Sequence, residues 1–84
     1  MSYEGCGIDA IRAIEKDLDE RKIAHHVKSD RSVNVIVEEE SEEYYSLMDL
    51  YHNIYKGVDI ELNLVSIFSI GANPKYFLYN INCF

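Results

Sequence analysis

Apolar residues recur at two different spacings along this chain, and the change of spacing happens twice in the same order. From the amino end they fall at Ile8, Ile11, Ile14 and Leu18, with Ala10 and Ala13 beside them. This is one stripe of a helix, predicted over about residues 7–21, and Glu15, Lys16, Asp19 and Glu20 supply its wet side. Asp9 in the first turn and Arg21-Lys22 at the end complement the helix dipole. Residues 23–28 and 32–38 then read as strands. In the second, Val33, Val35 and Val37 alternate with Asn34, Ile36 and Glu38, the period of a half-buried strand. Ser29-Asp30-Arg31 is the polar turn of an antiparallel hairpin.

The helical spacing returns with Tyr44, Leu47, Met48, Tyr51, Ile54 and Tyr55, while Ser46, Asp49, His52 and Asn53 take the polar side. Ser41 is placed to cap this helix and Gly57 to end it. Val58, Ile60, Leu62 and Leu64 alternate with Asp59, Glu61 and Asn63 as a third strand. The alternation slips at Leu64-Val65, which predicts a bulge. Residues 70–74 (Ile-Gly-Ala-Asn-Pro) predict a loop. A fourth strand over residues 76–82 sets Phe77, Tyr79 and Ile81 against Leu78, Asn80 and Asn82.

The order is therefore αββαββ, an α+β chain. Two helices with one apolar stripe each need a surface, and four strands offer one sheet face to cover. The predicted fold is a two-layer sandwich, a four-stranded, mainly antiparallel sheet with both helices on one face. The same order results when the first strand of the ferredoxin-like βαββαβ motif moves to the chain end. All 84 residues form a single domain. A chain of this size buries only about 60–65% of the surface its unfolded form exposes, so its core is thin.

Charge restricts the function. Fifteen acidic and eight basic side chains leave a net charge of −7. Binding nucleic acid requires Lys and Arg to replace phosphate counterions, so direct DNA or RNA binding is disfavoured, and a basic partner suits the chain better. No apolar run is long enough to span a membrane. The first residues lack the pattern of a secretion signal, residue 2 is Ser, and Cys83 stands one residue from the end, so no lipidation motif is present. These features predict a cytoplasmic protein, in which Cys6 and Cys83 are expected to be unpaired thiols.

Residues that could carry chemistry do not assemble into a recognisable site. His25 and His26 are adjacent on a strand and point to opposite faces. Asp49 and His52 share a helix face, but two ligands fall short of the three or four that zinc requires. Cys6 lies just before a helix start, where a thiol pKa can fall, without a catalytic signature around it. Gly5-x-Gly7 lacks the preceding strand and the Lys-Ser/Thr pair of a phosphate loop. The expectation is a non-enzymatic protein with no catalytic residues, no metal and no cofactor.

The acidic residues are concentrated. Between Ser32 and Tyr55 stand Glu38, Glu39, Glu40, Glu42, Glu43 and Asp49 with no Lys or Arg, while the rest of the chain holds nine acids against eight bases. Helix capping accounts for about two of these glutamates. The others repel one another and so serve either solubility or a partner, and their concentration in one run favours a partner. Tyr45 falls off the apolar stripe beside them, and an exposed aromatic next to a charged patch is the make-up of a binding surface. The expected partner-binding residues are Glu38, Glu39, Glu40, Glu42, Glu43, Tyr45 and Asp49. In length, acidity and small α/β build the chain resembles the acidic inhibitors that phages encode against host nucleases, of the anti-CRISPR and anti-restriction kind. That resemblance implies a nucleic-acid mimic that blocks a nuclease effector complex and performs no catalysis. The alternative expectation is a homodimeric structural or regulatory module with the acidic run as a solvated surface. In that reading the fourth strand (Tyr76, Phe77, Leu78, Tyr79, Ile81, with Phe84) pairs edge to edge between two chains.

Overall fold

In the computed structural model the described residues are 7–56, 59–69, 71 and 75–83. The elements follow the expected order: α1 (Ile8–Glu20), β1 (Ala24–Ser29), β2 (Ser32–Glu38), α2 (Glu42–Leu50) with a π-helical turn (Tyr51–Tyr55), β3 (Ile60–Ser69) and β4 (Lys75–Cys83). The four strands form one sheet in the order β1-β2-β4-β3, and every neighbouring pair is antiparallel. Because β2 and β3 each run against β4, they run parallel to each other, with α2 in the connection between them. This is the strand order of a ferredoxin-like sheet whose first strand has moved to the chain end.

One face of the sheet carries the core. Val33, Val35 and Val37 of β2 pair with Ile81, Tyr79 and Phe77 of β4. They pack against Ala10, Ile11, Ile14 and Leu18 of α1 and against Leu47 and Leu50 of α2. Each fully buried aliphatic side chain here contributes about 1.5–3 kcal/mol of transfer free energy. The opposite parity, including Ile36 and Phe68, is at least partly exposed, so both helices lie on one side. On that open face the Asn80 amide donates to Ser32 Oγ (2.7 Å) and Asn34 Oδ1 (3.0 Å), and Phe68 stacks on Tyr76. Burial raises the Tyr79 phenol pKa, and the neighbouring Tyr44 adds to the shift through charge and a hydrogen bond.

The chain closes α1 with backbone alone. Lys22 takes a left-handed conformation (φ 57°), Ile23 N–H donates to the Leu18 carbonyl and Lys22 N–H to that of Asp19. This is a Schellman motif with lysine where glycine is usual, and it turns Ile23 into the core beside Leu18. From the same corner, Arg21 Nη1 donates to the Ser46 carbonyl and pairs with Asp49 Oδ2 (3.0 Å), tying α1 to α2.

Three expectations are corrected. The second helix does not stay α-helical to its end: after Leu50 it widens, and Lys56 N–H reaches back five residues to the Tyr51 carbonyl. The extra residue shifts the buried face beyond Leu50, so Tyr55, five residues on, enters the core and Ile54 is turned out at 39% exposure. The Tyr55 hydroxyl then donates to Asp17 Oδ2 on α1 (3.0 Å). Gly57, expected to end this helix, lies outside the described residues. The fourth strand is not an edge: β4 is paired on both sides, and β1 and β3 form the edges. Cys83 is not a free thiol but is disulfide-bonded, at 3% exposure. Cys6, the other cysteine of the sequence, lies outside the described residues, as does most of the 70–74 loop. The bulge does fall where the alternation slips, between Leu64 and Ser66 of β3.

Candidate functional site

The acidic run is a tight connection between β2 and α2. Glu39 N–H donates to the Lys75 carbonyl (2.9 Å), which fastens the run to the end of β4. Ser41 N–H and Ser41 Oγ both donate to the Glu38 carbonyl, at 3.2 and 2.7 Å. The same hydroxyl accepts from Tyr44 N–H (3.1 Å), which makes Ser41 the N-cap of α2. Glu42 and Glu43 occupy the first helical turn, where the helix dipole favours carboxylates. One side chain thus closes the turn and starts the helix. Replacing Ser41 by Ala should cost about 1 kcal/mol, read as a lower midpoint in chemical denaturation with an unchanged slope. A loss below a few tenths of a kcal/mol would mean that the cap does not hold the turn.

Glu38, Glu39, Glu40, Glu42 and Glu43 are all exposed. Among the described residues, none of them has a basic nitrogen within ion-pair distance; the pairs found there are Arg21–Asp49 and a long contact between His25 and Asp19 (3.7 Å). Asp49 therefore stands apart from the other expected residues: Arg21 neutralises it and Asn53 donates to its second oxygen. Glu40 adopts φ 58°, the left-handed region that suits glycine or asparagine, at a cost of about 1 kcal/mol for a residue with a Cβ.

Aromatic side chains flank the turn. Tyr45 is 58% exposed and sets its ring edge-on to Tyr44 (centroids 5.3 Å apart), and Tyr44 does the same to Phe77 (5.6 Å). Glu39, Glu40, Tyr44, Tyr45 and Phe77 line an open groove of about 320 Å³. On the other side, Glu38 and Glu43 share a second open groove with Lys22, Ile36 and Tyr76. Carboxylates beside aromatic faces suit a guanidinium, which can bond the former and stack on the latter. The part of Phe77 could not be foreseen from the sequence, because 32 or more residues separate it from the other members of its groove.

The other candidates stay apart. His25 Nδ1 lies 2.9 Å from the Ile23 carbonyl, His26 is exposed on the opposite face, and His52 packs edge-on to Tyr51. No group of three metal-ligating side chains occurs among the described residues, and no helix there is long and apolar enough to cross a membrane. Comparison with protein-family models, with curated proteins and with solved structures finds no match.

Proposed function

We propose that this chain is a non-enzymatic binding protein whose acidic turn occupies the nucleic-acid-binding surface of a basic partner, closing it to DNA or RNA. The observation that carries this reading is the set of five exposed carboxylates, Glu38, Glu39, Glu40, Glu42 and Glu43, without an ion-pair partner among the described residues and held at a turn tied to both the sheet and a helix. Hydrogen bonds of the turn fix the backbone from which these side chains leave, which lowers the cost of ordering the turn on binding. Glu40 adds to the argument, since a left-handed position is one where glycine would stabilise the fold and the chain keeps a carboxylate instead. Tyr45 and its groove would take the stem and guanidinium of an arginine. Long-range attraction between the turn and a basic cleft would speed association.

The test is capture from host extract by the wild type and by a variant with all five glutamates replaced by Gln. The wild type should retain a nucleic-acid-handling protein, with retention lost in high salt, and the variant should lose affinity by on the order of 100-fold or more. Equal capture by both would leave the turn as a solvated cap. Cytoplasmic action belongs to the same proposal. Disulfides persist mainly in oxidising compartments, so alkylation trapping in intact cells decides the matter: a reduced Cys83 supports the cytoplasm, and an oxidised one moves the protein elsewhere.

A further inference from the structure

The two edges of the sheet are unlike. β1 has six residues and carries exposed His26 and Lys28, the charged and polar side chains that commonly keep an edge from pairing. β3 has ten residues, and from Leu62 to Ser69 it carries no charge at all. Leu64, Val65 and Ile67 are 50–58% exposed and Phe68 is 37% exposed. Ile67 pairs with Phe77, whose face bears the helices, whereas Phe68 pairs with Tyr76 on the open face. The strand thus carries apolar side chains on both faces and, from Leu62 on, lacks the charged residues that blunt an edge, and among the described residues its only strand neighbour is β4.

We propose that β3 pairs antiparallel with β3 of a second copy of this chain about a two-fold axis, joining two four-stranded sheets into one of eight strands. A strand edge of unpaired backbone groups is completed by another strand, and the uncharged segment from Leu62 to Ser69 is self-complementary. The charge distribution favours a second copy over a basic protein, because no carboxylate lies between Leu62 and Ser69, the one on this strand being the exposed Glu61 near its start. In the paired arrangement five strand spacings separate the two β2 strands, about 24 Å at roughly 4.8 Å each. That exceeds the Debye length of about 8 Å at physiological salt, so the acidic turns do not oppose association. Pairing through a single strand edge makes a small interface, of the weak, concentration-dependent kind. This inference stands independently of the partner-binding reading.

Sedimentation equilibrium over about 5–200 µM tests it. The wild-type mass should rise from 9.8 kDa toward twice that value. Ile67→Lys and Val65→Lys should each stay monomeric throughout, with the far-UV circular dichroism of the wild type. Ile36→Lys, on the open face of β2 and away from the edge, should associate as the wild type does. A wild type that remains monomeric, or edge variants that associate as it does, would overturn the proposal. So would loss of association in Ile36→Lys alone, which would place the contact on the open face of the sheet.

Discussion

Replacing Leu50 by Ala should lower stability by about 2–5 kcal/mol, the range for deleting a fully buried aliphatic side chain. Leu50 is 0% exposed and sits in the cluster where α2 meets β2 and α1. At about 0.05–0.15 kcal/mol per residue a chain of 84 residues has only about 4–12 kcal/mol to lose. The melting temperature should therefore fall by about 10–30 °C. Ile54→Ala should cost less than about 1 kcal/mol, because the π-helical turn directs Ile54 outward. A regular α-helix would place Ile54 four residues after Leu50 on the same buried face and make both substitutions costly, so a small effect at Ile54 tests the widened turn while Leu50 tests the core. Thermal melts followed by circular dichroism are sufficient to read it.

Reducing the disulfide at Cys83 should be the second large effect. A cross-link restricts the unfolded chain, and removing one from a small domain typically costs about 2–4 kcal/mol. The consequence is sharper here because a chain of this length has a thin core. Reductant should lower the melting temperature of the wild type toward that of Cys83→Ala and should leave the melting temperature of Cys83→Ala unchanged. An equal melting temperature for the wild type with and without reductant would show that the bond does not contribute to the fold.

The elements legible in the sequence are those set by local period. β2 spans Ser32–Glu38 as its alternating valines require, and α1 ends within a residue of the expected boundaries. The bulge at Leu64–Ser66 was visible because a slip in alternation is itself local. Strand order was not visible in the same way. Val33 pairs with Ile81, and no residue near either one records that partner. The hairpin pattern fits β4 at an edge as well as in the middle, and only the assembled sheet shows that β3 takes the edge.

The widened turn was hidden for a related reason. Ile54 and Tyr55 are both apolar, so spacing cannot say which one faces inward. The choice depends on Asp17, 38 residues away, which accepts from the Tyr55 hydroxyl. In the candidate site, the five glutamates and Tyr45 were legible from composition and from their position off the stripe. The pairing of Asp49 with Arg21 joins residues 28 apart and was not. Pairing of the Cys83 sulfur likewise depends on proximity in space, and a compartment argument about free thiols could not anticipate it.

The proposed function requires that the acidic turn take the place of nucleic acid on the partner. The most direct measurement is competition: the captured partner is held at fixed concentration with a labelled oligonucleotide, and this protein is titrated in. Displacement of the oligonucleotide is expected with one-to-one stoichiometry, weakened by salt and absent for the variant with the five glutamates replaced by Gln. A ternary complex in which the partner holds the oligonucleotide and this protein together, at affinities unchanged by either, would contradict it.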